Sequence, residues 1–141
     1  MKHNDIYIYD KSEPSNAEAW KRLPSDFQEY ICSKHNYLRN IVFECLEGSK
    51  YAPVFTSGFR SHAVNKVVGG VCDSLHLYGL AVDFILVDKV WGNDISPTLY
   101  PEIARVCFSS LIKVTNLMPN QIPVTLVIEK THFHLQLERK N

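Results

Sequence analysis

Apolar residues recur at three- and four-residue steps from Phe27 to Leu46, and this spacing predicts an amphipathic helix over residues 26–47. A second helix is predicted over residues 97–117, where Pro97 suits the first helical turn because its φ is already fixed. Each predicted helix has one apolar face. Such a face needs another element to cover it, and we expect that element to be a sheet.

Short strands are predicted at residues 54–56, 80–87, 124–128 and 132–137, and an alternating run at residues 6–9 is typical of an edge strand. The run over 80–87 is apolar except for Asp83, a charge that is costly there unless something compensates it. The sequence therefore predicts an α+β fold. We expect one domain over residues 1–141, with a small, mostly antiparallel sheet flanked by the two helices.

The charge balance of the chain limits its partners. The 141 residues include 15 basic and 15 acidic side chains, so nothing suggests a partner held by charge alone, and nucleic acid and anionic membranes are not expected. No stretch approaches the ~20 apolar residues of a membrane span. The N-terminus is polar and has no signal-like apolar run, so we expect the protein to be made in the cytoplasm. We also expect a monomer.

Four cysteines occur without the CxxC spacing of a metal or redox motif: Cys32, Cys45, Cys72 and Cys107. In a protein without an export signal they are expected to stay reduced, and three of them lie in apolar helical contexts that favour buried thiols. Cys72 lies close to His76 along the chain, and its role is left open.

Candidate chemistry is concentrated in His76 and Asp83, seven positions apart, and in the later pair His132 and His134. Two histidines and one carboxylate can bind zinc while leaving one coordination position open, as catalysis requires. On a strand, the late pair faces the same side as Gln136, so both histidines can reach a metal. The spacing alone fits equally well an exposed loop histidine and a hydrogen-bonded strand carboxylate.

Several segments together resemble the zinc D-Ala-D-Ala carboxypeptidases, a group that also includes lysostaphin-type endopeptidases and the hedgehog signalling domain. The resemblance covers roughly residues 50–137. The segments that carry it are Ser57-Gly58-Phe59-Arg60-Ser61, Val64-Asn65, Val68-Gly69-Gly70, Ser74-Leu75-His76, Gly79-Leu80-Ala81-Val82-Asp83 and His132-Phe133-His134.

This resemblance implies a hedgehog/DD-peptidase-like fold and one zinc ion per chain, held by His76, Asp83 and His134. It places Arg60 near the scissile carbonyl, where the guanidinium would stabilise the oxyanion or clamp a substrate carboxylate. A surface salt bridge is the alternative for this residue. Ser74 is expected either to offer its hydroxyl to the substrate backbone or to cap the local turn.

The general base is less directly indicated. Some relatives carry an acidic residue three positions before the ligand histidine, but here that position is Thr131, which cannot take a proton. We predict that Glu129, the nearest carboxylate, is the base and that His132 positions the water or the oxyanion. The alternatives are an exchange of these roles, or a solvated turn carboxylate and a surface histidine.

The resulting functional prediction is a zinc-dependent peptidoglycan peptidase, a D,D-carboxypeptidase or an endopeptidase, that cleaves cell-wall stem peptides with metal-activated water. It would reach the wall after release or export, for example as a phage or prophage lysis enzyme. Two other classes of protein stay open. One is a zinc-bearing binding domain without catalysis, and the other is a structural protein of a virion or lysis complex that holds no metal.

Overall fold

The computed structural model describes residues 5–70, 74–112 and 123–138. Its centre is a four-stranded antiparallel sheet, and helices pack against it, which confirms the predicted α+β fold. The strands lie in the order β1-β2-β4-β3, and their bounds are β1 Tyr51–Ser57, β2 Ala81–Asp88, β3 Val124–Ile128 and β4 Phe133–Leu137.

Five α-helices occur in the described part of the chain, two of them a single turn or little more. Short 3-10 turns cover Leu75–Tyr78 and Pro97–Leu99. None of these helices has the length and apolar composition needed to span a bilayer. The α-helices are α1 Pro14–Lys21, α2 Ser25–Leu46, α3 His62–Val67, α4 Tyr100–Cys107 and α5 Ser109–Ile112.

Helix α2 forms where the apolar periodicity predicts it. Its buried positions follow steps of three and four residues, so they form one stripe along the helix. This stripe packs against β1, β2 and β4 and covers the core face of the sheet. The buried residues of α2 are Ile31, His35, Leu38, Val42 and Leu46, of which only His35 is polar.

The second predicted helix, over 97–117, differs in the structure. It is divided into a 3-10 turn, α4 and α5, and the helical backbone is interrupted at Phe108, where φ is −109° and ψ is 15°. The ring of Phe108 is fully buried within an aromatic cluster, 5.4 Å from the ring of Phe133. Burial of this ring coincides with the break. Residues 113–117 of the predicted helix lie outside the described residues.

The N-terminal segment, residues 5–13 of the described chain, forms isolated bridges at Tyr7 and Tyr9, not the edge strand expected at residues 6–9. It nevertheless contacts the outer edge of β1: the backbone N–H of Ile6 donates to the Phe55 carbonyl at 2.8 Å, and the Phe55 N–H donates to the Asp5 carboxylate at 2.7 Å. Helix α1 follows and was not predicted, because its sequence is mostly polar. Its anchor is Trp20, whose ring packs 5.6 Å from Phe59.

The sheet has two different faces. Side chains alternate along β2 and β4, so every second residue points into the core. The opposite face of the same strands carries the polar side chains of the candidate site. The core-facing residues of the two strands are Val82, Phe84, Leu86, Phe133, Leu135 and Leu137.

Three of the four cysteines lie among the described residues. Cys32, Cys45 and Cys107 are partly buried free thiols, in agreement with the sequence. Cys72 lies outside the described residues.

Candidate metal centre

The register of three neighbouring strands aligns polar side chains across the sheet. Ser57 of β1 pairs with Asp83 of β2, and Asp83 pairs with His134 of β4. A register irregularity between Phe55 and Ser57 precedes this row on β1. Residues paired across antiparallel strands share a face, so the register alone brings Asp83 and His134 together.

His76 reaches the same point from the 3-10 turn that immediately precedes β2. The Ser74 hydroxyl caps this turn by accepting from the His76 backbone N–H at 3.2 Å. The turn ends at Gly79, whose φ of 69° lies in the left-handed region that glycine adopts most easily. The short connection to β2 therefore sets His76 beside Asp83.

The side chains of His76, Asp83 and His134, called the triad below, converge closely. One potential ligand atom from each lies within 4.8 Å of the other two. His76 Nε2 is 3.2 Å and His134 Nδ1 is 2.8 Å from the same Asp83 oxygen, Oδ1. The sequence prediction placed these three residues around one metal, and the structure brings them to one point.

Each histidine of the triad is oriented through its other ring nitrogen. His76 Nδ1 lies 2.8 Å from the Gly58 carbonyl oxygen, which can only accept, so this nitrogen carries the proton. His134 Nε2 lies 2.8 Å from Gln136 Oε1 and donates in the same way. These contacts leave His76 Nε2 and His134 Nδ1 to bind a cation, which is the outer hydrogen bonding found for metal-ligating histidines.

The carboxylate of the triad is held ionised. Burial raises the pKa of Asp83, which is 5% exposed, but its close contacts with His134 and His76 outweigh burial and hold the pKa well below its usual range. Asp83 is the charge that the sequence placed inside an apolar strand. The cost of burying this charge is offset by the polar side chains that surround it.

The pKa values of the two triad histidines are shifted in opposite directions. Burial lowers the pKa of His76, and the Asp83 carboxylate offsets this only in part. Burial also lowers the pKa of His134, but the hydrogen bonds to Asp83 and Gln136 outweigh it and raise the pKa above its ordinary value. In the metal-free protein His134 is therefore the favoured carrier of the positive charge beside Asp83.

Zinc fits this donor set. Two imidazole nitrogens and one carboxylate oxygen are ligands that zinc uses in catalytic sites. Ligand atoms at about 2.1 Å from one tetrahedral ion are separated by roughly 3.4 Å. The separations of 3.2 Å and 2.8 Å from Asp83 Oδ1 to the two ring nitrogens are close to this value.

Arg60 lies at the triad but uses its guanidinium within the protein. Its Nη2 donates to Asp83 Oδ2 at 3.0 Å, and its Nε donates to Ser57 Oγ at 3.0 Å. A longer contact of 3.4 Å joins Nη1 to Asn65 Oδ1. Burial lowers the pKa of Arg60, with the Asp83 charge opposing this effect. The observed contact is thus a partly buried ion pair that orients Asp83.

His132 and Glu129, the two predicted proton-transfer residues, occupy different positions. His132 is partly buried, and its Nε2 lies 3.7 Å from Asp83 Oδ2. Glu129 is exposed on the turn between β3 and β4, where its backbone N–H donates to the His132 carbonyl at 2.9 Å. The Glu129 charge contributes to the raised pKa of His134. Both groups therefore belong to the surroundings of the triad.

A cleft of about 240 Å³ opens beside the triad. One wall comes from residues 56–68 with Asp83 and His132, and the other comes from residues 10–16. Asn16, almost fully buried, joins the two walls because its Oδ1 accepts from the Ser61 backbone N–H at 2.9 Å. Among the residues that line the cleft are Asp10, Glu13, Ser57, Arg60, Asp83 and His132.

Sequence reasoning missed two residues that orient the triad. Gln136 could have been found, because strand alternation places it on the same face as His134. The carbonyl of Gly58 gave no such signal, since any residue has a carbonyl group. The contact between Arg60 and Asp83 was also missed, because it joins residues 23 positions apart.

Residues 42–96 match the family model described as Peptidase M15. This match supports a zinc D-Ala-D-Ala carboxypeptidase-like metallopeptidase family and confirms the resemblance found in the sequence. The matched segment contains Arg60, His76 and Asp83, whereas His134 lies beyond it. No curated protein and no solved structure matches the chain at a significant level.

At the family level, the M15 match supports a zinc peptidase that acts on peptidoglycan. The triad is a possible site for the metal that such a hydrolase needs.

Proposed function

We propose that this M15-like protein is a zinc-dependent peptidase that hydrolyses peptidoglycan stem peptides. In this proposal the triad holds one zinc ion per chain. The observation that carries it is the convergence of three ligand atoms within 4.8 Å, with the outer nitrogen of each histidine already bonded.

The proposed reaction is hydrolysis of a peptide bond in the cleft beside the triad. Bound zinc would supply a Lewis acid that lowers the pKa of water and polarises the scissile carbonyl. The Glu129 carboxylate accepts the proton of the attacking water and returns it to the leaving amine. His132, which lines the cleft, donates from its ring to the water or the oxyanion.

Arg60 has two tasks in this proposal. Its Nη2 holds Asp83 in position, which the ion pair at 3.0 Å supports. Its place on the cleft wall supports the second task, in which the guanidinium donates to the carbonyl oxygen of the substrate as that oxygen becomes negative. Ser74 is proposed to contact the substrate backbone, in addition to capping the turn that carries His76.

A short peptide segment in an extended conformation suits the cleft of about 240 Å³ beside the triad. A peptide stem with small side chains fits this description. We propose cleavage by a D,D-carboxypeptidase or an endopeptidase activity, carried out by a single-domain monomer. Since peptidoglycan lies outside the cytoplasmic membrane, the protein would act after release or export, as in phage or prophage lysis.

Digestion of purified cell wall tests this proposal. The protein loaded with one equivalent of zinc should release stem-peptide fragments, and their masses identify the scissile bond. A chelator should stop the reaction, and added zinc should restore it. Wall that stays intact with zinc-loaded protein would contradict the proposed activity.

A zinc-bearing binding domain without catalysis is the second candidate. The exposed position of Glu129 favours it, because in the structure this carboxylate makes no hydrogen bond to the triad within the described ranges. Stoichiometric zinc together with binding, but no cleavage, of stem peptides would support this alternative. A protein that takes up no zinc would instead be a structural component.

A further inference from the structure

We propose that His35, a buried histidine on α2, is a positioning residue for His76 and acts through the backbone of Ile8 and of Gly58. This inference rests on the proposed zinc site, because it explains what fixes one of its ligands. His35 belongs to the core side of the molecule and takes no part in the proposed reaction.

Ile8 has an unusual backbone conformation. Its φ is 74°, in the left-handed region that a β-branched residue strongly disfavours. It is the one non-glycine residue with positive φ among those described. A conformation of this kind persists only where the surrounding structure holds it, and such residues cluster at functional sites.

Two hydrogen bonds hold Ile8 in this conformation. Its backbone N–H donates to His35 Nε2 at 3.1 Å in a buried position. Its carbonyl accepts from the Phe59 backbone N–H at 2.7 Å. His35 and Phe59 therefore hold the same residue, one through its N–H and the other through its carbonyl.

The second of these bonds leads directly to the triad. The N–H of Phe59 and the carbonyl of Gly58 belong to one planar peptide unit. On one side this unit donates to Ile8, and on the other it accepts from His76 Nδ1 at 2.8 Å. The orientation of the unit is thus coupled to the position of Ile8, and it sets the ring plane of His76.

The packing around this peptide unit leaves no room for a side chain at position 58. A Cβ atom at position 58 would clash with the Ile8 carbonyl oxygen and would lie 3.1 Å from His35 Cε1. Only glycine lets the two segments approach this closely. A displacement of His35 or Ile8 is therefore passed on to Gly58.

His35 is suited to accept the bond from Ile8. Burial and the nearby Arg39 lower its pKa to about 4, against an opposing effect of Asp5. The ring is neutral near pH 7, and the donation from the Ile8 N–H selects the tautomer in which Nε2 has the lone pair. An apolar residue, as found at the other buried positions of α2, would fill the space but leave the buried N–H of Ile8 without this acceptor.

The experiment compares His35→Leu, which removes the acceptor, with His35→Gln, which can supply a carbonyl oxygen. The control is Val42→Ala, which leaves a cavity in the main core on the same helix. Zinc affinity is measured by competition with a chelator, well below the melting temperature of every variant. The Nδ1–H proton resonance of His76, assigned by its loss in His76→Gln, is recorded by NMR in the metal-free protein.

We expect His35→Leu to weaken zinc binding by about tenfold or more, the scale found for outer hydrogen-bond partners of metal ligands. Its His76 Nδ1–H resonance should shift or broaden by exchange with water. His35→Gln should recover most of the affinity. Val42→Ala should melt earlier yet bind zinc as the wild type does.

Zinc affinity within about twofold of wild type in His35→Leu, together with an unchanged His76 resonance, would make His35 a core residue only. If His35→Leu does not fold, His35→Met provides the same loss of acceptor with a more adaptable side chain. A wild-type protein that binds no zinc would refute the proposed function, and the NMR comparison would still decide this inference.

Discussion

Adjacent residues on β2 and β4 belong to two contrasting environments. Phe84 and Phe133 face the core and stack with their ring centroids 5.1 Å apart. Their neighbours Asp83 and His134 face the opposite side and share a hydrogen bond of 2.8 Å. One step along each strand separates a packed aromatic pair from a candidate metal centre.

The two faces depend on different properties of their side chains. The core face is stabilised by removing apolar area from water, so residues of similar volume can replace one another at modest cost. The triad depends on individual atoms, since each ring nitrogen has one partner and a change of donor to acceptor breaks the set. Substitutions on the core face should therefore change stability, and those on the site face should change metal binding and catalysis.

Loss of a metal ligand should have the largest effect. We expect His134→Ala to fold, to lose stoichiometric zinc and to show only background hydrolysis, because the triad then lacks one of its two nitrogens. Elemental analysis and a stem-peptide assay measure this, with His132→Ala as the control that should keep its zinc. Zinc retained by His134→Ala but lost from His132→Ala would move the third ligand to position 132.

On the core face, Phe133→Ala should lower the free energy of unfolding by about 3–5 kcal/mol, because the buried ring leaves a cavity. Urea denaturation measures the loss. The fraction that stays folded should bind zinc as the wild type does. A folded variant with reduced zinc stoichiometry would show that the two faces are not independent.

Removal of the proposed base should spare the metal and slow the reaction. Glu129→Gln keeps the shape of the side chain but not its basicity, so turnover should fall by ~10²-fold or more with zinc still bound. His132→Ala should cost less and shift the alkaline limb of the pH–rate profile. Near-full activity in Glu129→Gln, with an inactive His132→Ala that keeps its zinc, would exchange the two roles.

Arg60→Lys should have a smaller effect on turnover. An ammonium can keep a charge near Asp83 but cannot reproduce the planar fork that contacts Ser57 and Asp83 together. We expect the variant to fold and bind zinc while turnover falls by roughly thirtyfold, about 2 kcal/mol. Steady-state kinetics beside zinc analysis measure this, and unchanged turnover would leave Arg60 a structural role only.

The smallest expected effect is a pH dependence of stability that arises from His35. The unfolded chain takes up a proton near the ordinary pKa of 6.5, whereas the folded protein resists protonation until about 4, so acid favours unfolding. This contribution is present above pH 6.5 and is lost towards pH 4. We expect a loss of about 1 kcal/mol between about pH 7 and about pH 5.5.

Denaturation curves at the two pH values, for wild type and for His35→Gln, isolate this contribution. The variant cannot titrate at position 35, so its stability should fall less over the same interval. Equal pH slopes for the two proteins would mean that His35 is not buried in the neutral form.

Much of the fold could be predicted because its signals are local. The periodicity of α2, the apolar run of β2 and the alternation of β4 are each contained in one stretch of sequence, and they placed Asp83 and His134 on strands. The break at Phe108 could not be predicted in this way. It coincides with the burial of that ring against Phe133, which lies on a distant strand.

The site was predictable to the same extent. His76 and Asp83 are close along the chain, but their spacing alone fits a non-metal interpretation equally well, and the resemblance to the zinc carboxypeptidases supplied the metal prediction. The partners that orient them come from remote segments: Gly58 bonds to His76 through a backbone atom, and Arg60 reaches Asp83 across the strand pairing. Contacts between distant segments leave no periodic trace in a sequence.

The contacts of the N-terminal segment with Phe55 have a consequence for solubility. Strand β1 lies at one edge of the sheet, where unpaired backbone groups can recruit a strand from another molecule. Both backbone groups of Phe55 are occupied here, its carbonyl by Ile6 and its N–H by the charged side chain of Asp5. A carboxylate at this position cannot extend the ladder of backbone hydrogen bonds. Asp5 and Ile6 therefore prevent a strand of another molecule from pairing with Phe55, the kind of contact that begins aggregation.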